Sequence, residues 1–320
     1  MTAAVILFSI GLLCLIKGGD WFVDGAVNTA RRFAVPELLV GATVVSIGTT
    51  LPEVMVSATS ALEGHGEIAY GNAVGSVICN AALIAAVTIA VRPGRVDPKT
   101  LKTPVIFFFS AAGVYAAVAY TTGSFSRRVG VLLLGVFAAY MLATVRQIRR
   151  AASAPAEGEA AGGPSLRRDL GLLAAGAVLI AVGARLLVDN GVLIARELGV
   201  PESVIALTFI ALGTSLPELV TALTALVKGH GSLSLGNVVG ANLLNLVLVC
   251  GASMTLAPFR LPQSAVLLGR NAALVLELPV MVLVMLLLTV PALKKGRLYR
   301  GQGILLLLVY GLFCAVQFTL

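Results

Sequence analysis

Residues 48–53 read GTTLPE, and residues 213–218, which lie 165 positions further along the chain, read GTSLPE. The similarity extends well beyond these hexapeptides, because residues 36–83 and 201–248 align without a gap and share 18 identities in 48 positions. A repeat of this length indicates that the chain is built from two related structural units.

Both units consist of long apolar runs. The 320-residue chain is 58% hydrophobic and only 12% charged, whereas a soluble domain carries about 25% charged residues. Ten runs approach or exceed the roughly 20 apolar residues that a membrane-spanning helix needs. Because the runs are continuously apolar, they exclude a β-barrel, whose strands alternate apolar and polar residues. We predict an all-α polytopic membrane protein with ten transmembrane helices, at roughly 3–30, 37–62, 68–91, 101–121, 128–147, 168–195, 202–227, 233–257, 266–290 and 302–319.

The repeat divides these spans into two sets of five. We expect a first five-helix repeat at 1–150, a short cytoplasmic linker at 151–165 (AASAPAEGEAAGGPS) and a second five-helix repeat at 166–320. The linker is too short and too polar to form a folded domain. An odd number of spans makes the second repeat enter the membrane inverted, an arrangement typical of secondary transporters whose substrate site lies at the repeat interface.

Loop charge predicts the orientation of the chain. With the N-terminus outside, 16 of the Lys and Arg residues fall in cytoplasmic loops and 5 in outer loops, as the positive-inside rule requires. We therefore expect an integral protein of the cell (inner) membrane with both termini outside. The same bias explains the net charge of +8 without a nucleic-acid partner, and nothing in the sequence indicates an obligate protein partner.

Two acidic residues are predicted to lie near the middle of the membrane. Glu53 and Glu218 each fall about 16 residues into their spans, where a carboxylate costs about 2.5–3.5 kcal/mol. No Lys or Arg lies at comparable depth, and the same residue occurs in both repeats. These observations favour a functional carboxylate pair over two structural ion pairs.

A proline precedes each glutamate and disturbs the helix. The rings of Pro52 and Pro217 clash with carbonyl groups four residues earlier, so we expect each helix to kink or unwind there. Backbone carbonyls around Ser46–Thr49 and Ala211–Thr214 would then be free to face ions or water. The threonine that ends each of these segments adds a hydroxyl one helical turn before the glutamate.

The third and eighth spans carry a second polar face. Residues four apart share one side of a helix, and here these are Asn72, Ser76 and Asn80 in the first repeat and Asn237, Ala241 and Asn245 in the second. For Asn80 and Asn245 we favour ion coordination. Asn72 and Asn237 fit interhelical hydrogen bonds equally well.

The predicted site contains only oxygen ligands. Carboxylates, carbonyls, hydroxyls and amides suit hard cations such as Ca²⁺ and Na⁺, and two negative charges match one divalent ion. These ions would be transported, so no cofactor is expected. An intramembrane hydrolase lacks support, since no Cys/His or Ser/His pair occurs at membrane depth. A channel stays possible, although inverted repeats around a central site favour alternating access.

The repeated motifs carry a family resemblance. GTTLPE, GTSLPE and the two GN-x-x-G-x-x-x-x-N segments resemble the paired repeats of the cation/calcium exchanger superfamily, in its sodium/calcium exchanger branch. The resemblance implies that Glu53 and Glu218 bind Ca²⁺ and Na⁺ in alternation while the first and sixth spans slide across the core. It further implies a ligand set of Thr49, Thr214, the carbonyls of Ser46 and Ala211, and, beside them, Ser76, Asn80 and Asn245.

The sequence departs from this family at two positions. The family usually has Asp in one repeat where Asn80 and Asn245 both stand here, and Ser where this chain has Ala241. Because these changes remove a charge and a sodium ligand, calcium transport is better supported than a three-sodium stoichiometry. The leading hypothesis is Ca²⁺/Na⁺ antiport. The alternative is Ca²⁺/H⁺ antiport, since burial and mutual repulsion of two carboxylates both favour proton binding.

Overall fold

The computed structural model describes residues 2–152, 165–199, 213–263, 265–267 and 269–318. In this part of the chain, nine helices are long and apolar enough to cross a membrane, and a tenth, α7, has 12 residues. The helices are α1 (Thr2–Arg32), α2 (Glu37–Leu62), α3 (Gly66–Val91), α4 (Pro98–Thr121), α5 (Arg127–Ala152), α6 (Leu166–Glu197), α7 (Leu216–Val227), α8 (Gly231–Leu256), α9 (Ala273–Lys295) and α10 (Arg300–Gln317). Most of the predicted linker, at 153–164, and the start of the seventh span, at 202–212, lie outside the described residues.

The predicted ninth span begins too early. Instead of helix, Val266–Leu267 and Arg270–Asn271 form a short antiparallel hairpin, β3 and β4, and α9 starts only at Ala273. Gly269 between the two strands has a φ of +75°, which glycine adopts without strain. An earlier pair, β1 (Ser124–Phe125) and β2 (Phe259–Arg260), joins two loops on the same face of the protein.

In the part of the chain that the structure describes, four helices contain a wider, π-helical turn. These turns occupy Gly41–Val45 in α2, Asn80–Ala85 in α3, Asn245–Val249 in α8 and Ala273–Glu277 in α9. Such turns are rare and concentrate at functional sites. Two of them begin at the asparagines that the sequence pattern singled out.

Of the two expected outcomes at Pro52, a kink or unwinding of the helix, unwinding does not occur. The α-helical segment Ser46–Leu62 continues through Pro52, and the irregular turn lies just before it, at Gly41–Val45. In α7, by contrast, Pro217 stands in the first turn of a helix that begins after a turn at 214–215, where a proline needs no hydrogen-bond partner.

Helix α8 occupies the centre of the molecule. Over an apolar stretch of 18 residues in each helix, 94% of the residues of α8 are buried, against 72% for α3 and 28% for both α1 and α6. The two helices that carry the asparagine motifs are thus more deeply buried than α1 and α6. Since hydrocarbon cannot hydrogen-bond their amides, this placement keeps the polar faces within protein.

Helices α1 and α6 pack against each other over their length. A Cβ atom at Gly18 would lie 2.8 Å from the backbone nitrogen of Ile180 and 3.0 Å from the carbonyl of Gly176, so only glycine permits this approach. One end of the pair is closed by Arg32 and the buried Asp169, 3.2 Å apart. Together, α1 and α6 form a two-helix layer on one side of the core.

The connector between α7 and α8 is tied to α1 by an ion pair. The Lys228 ammonium lies 2.8 Å from a carboxylate oxygen of Asp24 and 3.3 Å from one of Asp20. Partial burial by itself lowers the pKa of Lys228, but hydrogen bonds and attraction from these carboxylates outweigh it, and the net pKa is raised. The contact therefore persists through neutral pH.

Candidate functional site

The structure brings Glu53 and Glu218 together in the protein interior. Both residues are 0% exposed, helices α2 and α7 contact each other, and the two carboxyl groups lie close enough to interact electrostatically. Thr50 of α2 donates a hydrogen bond to Oε1 of Glu218 at 3.4 Å. We call Glu53 and Glu218 the carboxylate pair.

Within the described residues the carboxylate pair has no basic partner. No Lys, Arg or His of that part forms an ion pair with either residue, and both carboxylate oxygens of Glu53 and Oε2 of Glu218 have no hydrogen-bond partner there. Two such acids without neutralising groups are costly in a protein interior. The chemistry that relieves this cost is binding of a cation or a proton.

Hydroxyl and carbonyl oxygens lie beside the pair. Ser46 and Thr49 are both buried, and the Thr49 hydroxyl lies 3.3 Å from the carbonyl of Ser46 and 3.2 Å from Oδ1 of Asn237. The last contact joins α2 to α8. Asn237 therefore belongs to the polar cluster around the pair, while its amide nitrogen has no hydrogen-bond partner among the described residues.

Asn72, the repeat counterpart of Asn237, behaves differently. Its amide donates to the Ser57 hydroxyl at 2.8 Å and to the backbone carbonyl of Glu53 at 3.4 Å. Both acceptors belong to α2. The interhelical interpretation thus describes Asn72, which holds α3 against the helix that carries Glu53, and it also describes the contact of Asn237 with Thr49.

The deeper asparagines have free amides. Asn80 and Asn245 are 0% exposed, and neither amide oxygen nor nitrogen of either side chain has a partner among the described residues. Ser76, one turn before Asn80, is also buried at 4% exposure. Because unpaired buried amides are rare, these two positions are available as additional ligands.

The remaining predicted ligands lie at the edge of what the structure describes. Thr214 is half-buried in the turn before α7, and Ala211 lies outside the described residues. No cluster of three or more His, Cys, Asp and Glu residues occurs in the described ranges. Any cation held here would therefore be bound by two carboxylates and neutral oxygens.

Sequence reasoning missed two hydroxyl groups. Thr50 is 0% exposed and contacts Glu218, and Ser215, its counterpart in the other repeat, is 2% exposed with an unpartnered Oγ among the described residues. Each stands three residues before its glutamate, about one turn away in a regular helix. The doubled spacing was a signal that could have found them.

Helices α1 and α6 cover one side of the site. A gap of about 10 Å³, close to the volume that one water needs, is lined by Thr49, Pro52 and Pro217 from the site and by Phe22 and Ile180 from the covering layer. The phenyl ring of Phe22 lies against Gly48, where a Cβ atom would be 3.0 Å away. The gap is the size of about one water, and both members of the carboxylate pair are 0% exposed, so the α1–α6 layer closes this side of the site.

Glu277 belongs to a different region. Its carboxylate accepts a hydrogen bond from Gln317 at 3.1 Å, and it lines a cavity of about 280 Å³ together with Glu67 and Asn271. The carboxylate pair does not line this cavity. Glu277 therefore has no part in the site around the pair.

Comparison with known proteins adds an independent line of evidence. The family model described as sodium/calcium exchanger protein matches residues 3–146 and 169–319. The chain is 36% identical to an uncharacterised membrane protein of Methanocaldococcus jannaschii over 95% of this chain and 94% of that protein. It is 28% identical to the sodium/calcium exchanger MaX1 of Methanosarcina acetivorans over 99% of both. A solved structure of the sodium-calcium exchanger NCX_Mj, soaked with Na⁺ and Ca²⁺, superposes with a TM-score of 0.82 at 34% identity over 98% of both chains.

Proposed function

The chain belongs to the sodium/calcium exchanger family, and on this premise we propose that it exchanges Ca²⁺ for Na⁺ across the membrane by alternating access. Members of this family exchange cations and are not enzymes. The observation that carries the proposal is the carboxylate pair, which is fully buried and has no basic partner among the described residues.

The pair accounts for the coupling of the two ions. Ca²⁺ takes six to eight oxygen ligands, which the four carboxylate oxygens, the Thr49 and Thr50 hydroxyls and the Asn80 and Asn245 amides can supply. Sodium ions need the same carboxylates to offset their charge. Because calcium and sodium compete for one pair of charges, the site holds one or the other, and this exclusion produces exchange.

The α1–α6 layer supplies the moving part. It covers the site through Phe22, and at Gly19 a Cβ atom would come within 2.8 Å of side chains of α7, so glycine lets α1 lie close against the core along which the layer would slide. In this proposal residues 1–150 and 166–320 form inverted five-helix repeats, with ten spans and both termini outside. The equivalent π-helical turns at Asn80 and Asn245 support the repeat.

Proton coupling is the second candidate. Ala241 is 0% exposed and has no hydroxyl, and Asn245 provides no third carboxylate, so the second repeat offers less than the family's usual sodium ligation. One Ca²⁺ exchanged for two protons would need no ligand beyond the carboxylate pair. The sparse sodium ligation is the observation that favours this alternative.

The deciding experiment measures calcium flux in proteoliposomes with the sodium and pH gradients set independently. We expect an outward sodium gradient to drive calcium uptake at equal pH, and Glu53→Gln to abolish it. Glu63→Gln, an exposed residue at the end of α2, is the matched control and should transport normally. Uptake driven by a pH gradient but not by a sodium gradient would show that calcium is exchanged for protons and not for sodium.

A further inference from the structure

A second polar cavity is lined by neither member of the carboxylate pair and by none of the predicted ion ligands. It has a volume of about 210 Å³ and is formed where the α3–α4 connector meets the α7–α8 connector. Arg92 and Arg95 line it from one side, and Ser232 and Ser234 from the first turn of α8. No Asp or Glu of the described residues lines it. On the orientation that loop charge predicts, this cavity faces the cytoplasm.

The cavity carries an unbalanced positive charge. Neither Arg92 nor Arg95 forms an ion pair with a carboxylate of the described residues; Arg92 donates only to the Leu226 carbonyl, at 3.4 Å. Lys228, on the same connector, is already engaged by Asp24 and Asp20. Two guanidinium groups thus border a concave space without a counter-charge.

The start of α8 adds hydrogen-bond donors. The N-cap residue His230 makes no side-chain cap, since its ring contacts Glu37 at 2.9 Å instead, which leaves the first backbone N–H groups of a 26-residue helix without a cap from that side chain. Such a terminus carries a partial positive charge and binds anions. Ser234 is only 2% exposed, lines the cavity and has no hydrogen-bond partner for Oγ among the described residues.

In the first repeat, a side chain occupies the space at the corresponding helix start. A Cβ atom at Gly66, the first residue of α3, would clash with the side chain of Phe259, whereas nothing lies within 4 Å of one at Gly231. The two repeats share the GHG sequence at this turn. Only the second repeat therefore leaves its helix terminus open to a ligand.

We propose that this cavity binds a phosphate group, carried either by the headgroup of an anionic lipid or by a soluble phosphate. Arginine forks match the oxygens of phosphate in a bidentate manner, and the uncapped N–H groups and the Ser234 hydroxyl supply donors to its remaining oxygens. The proposal does not depend on which ions the protein exchanges, because it concerns binding at a separate place.

The test follows thermal unfolding of the full-length protein in neutral detergent. We would titrate potassium phosphate, dihexanoyl phosphatidic acid and dihexanoyl phosphatidylcholine, each against potassium chloride at equal ionic strength. A saturable rise in Tm with inorganic phosphate identifies a soluble ligand, and a rise with phosphatidic acid alone identifies a lipid headgroup. If neither raises Tm beyond the chloride and phosphatidylcholine controls, the proposal fails.

Variants locate the binding site. The double variant Arg92→Gln with Arg95→Gln should weaken the apparent Kd on the order of 100-fold, as expected for two charge-assisted contacts. Lys99→Gln with Lys102→Gln removes the same charge from exposed positions of α4 that do not line the cavity, and it should change the Kd less than about two-fold.

Ser234→Ala provides a test without a change of charge. It removes a hydroxyl that has no partner in the described structure, so the protein should fold normally and bind phosphate about five-fold more weakly. An unchanged Kd in Ser234→Ala, or equal weakening in the lysine control, would show that the anion binds by general surface attraction and would overturn the proposal.

Discussion

Replacing one member of the carboxylate pair should stabilise the calcium-free protein and destroy its response to calcium. Glu53→Gln keeps the shape of the side chain but removes a charge that is 0% exposed and has no hydrogen-bond partner among the described residues. Repulsion between the two acids and the cost of burying one of them both disappear. We therefore expect the Tm in calcium-free buffer to rise, by about 2 °C or more if the gain is 1 kcal/mol.

The effect on calcium binding has the opposite sign and is larger. At an effective dielectric constant of about 20, a unit charge about 3 Å from Ca²⁺ contributes about 11 kcal/mol before desolvation. Desolvation offsets most of this, and removal of one partner of a buried charge pair costs about 3–5 kcal/mol in net. A loss of even 3 kcal/mol corresponds to more than about 100-fold in Kd.

The assay is thermal unfolding of purified protein with calcium titrated from zero. Wild type and the exposed-site control Glu63→Gln should show a saturable rise in Tm with calcium, and Glu53→Gln should start higher and stay flat. A variant that is less stable than wild type without calcium, yet still responds to calcium, would refute the reasoning. That result would mean that Glu53 is a structural residue with a neutralising partner.

Three further outcomes follow from the same site. Lowering the external pH should shift calcium-dependent flux to higher calcium concentrations, since protons compete for the carboxylate pair; a calcium dependence that stays constant from neutral to acid pH would contradict this. Ala241→Ser should raise the apparent sodium affinity about five-fold, the scale of one added oxygen ligand, and Ser76→Ala should lower it. Both effects are measured as sodium-driven calcium flux against sodium concentration. If Ala241→Ser leaves the sodium dependence unchanged, proton coupling becomes the better explanation. Gly19→Ala should slow transport because its Cβ would lie 2.8 Å from the side chains of Thr224 and Val220 in α7, whereas Gly171→Ala, with nothing within 4 Å, should not. Equal flux rates in the two variants would argue against movement of the α1–α6 layer along the core.

The helices of this protein were largely predictable because their main determinant is local. A run of about 20 apolar residues spans hydrocarbon whatever its neighbours are, and most predicted spans agree with the observed helices to within a few residues. The ninth span failed at its start, where Gly269 turns the chain into a hairpin before α9 begins at Ala273. Membership of the sodium/calcium exchanger family, suggested by the doubled motif, is confirmed by the family match.

The consequences of the two prolines were less predictable. The ring of Pro52 does not unwind α2, whose α-helical segment Ser46–Leu62 continues through it after a π-helical turn at Gly41–Val45. Pro217 instead stands in the first turn of α7. Nearly identical hexapeptides thus adopt different helical contexts, and the reason lies in the segments packed around them.

The sequence predicted that the two glutamates are buried, repeated and functional, since a carboxylate at membrane depth costs too much to persist without a use. The hydrogen-bond partners were not readable. Asn72 and Asn237 occupy equivalent positions in the repeat, yet Asn72 bonds to Ser57 while Asn237 contacts Thr49. Such choices depend on atoms 15 to 188 residues apart in sequence, and only the packing of α2, α3 and α8 brings these atoms within 3.2 Å or less.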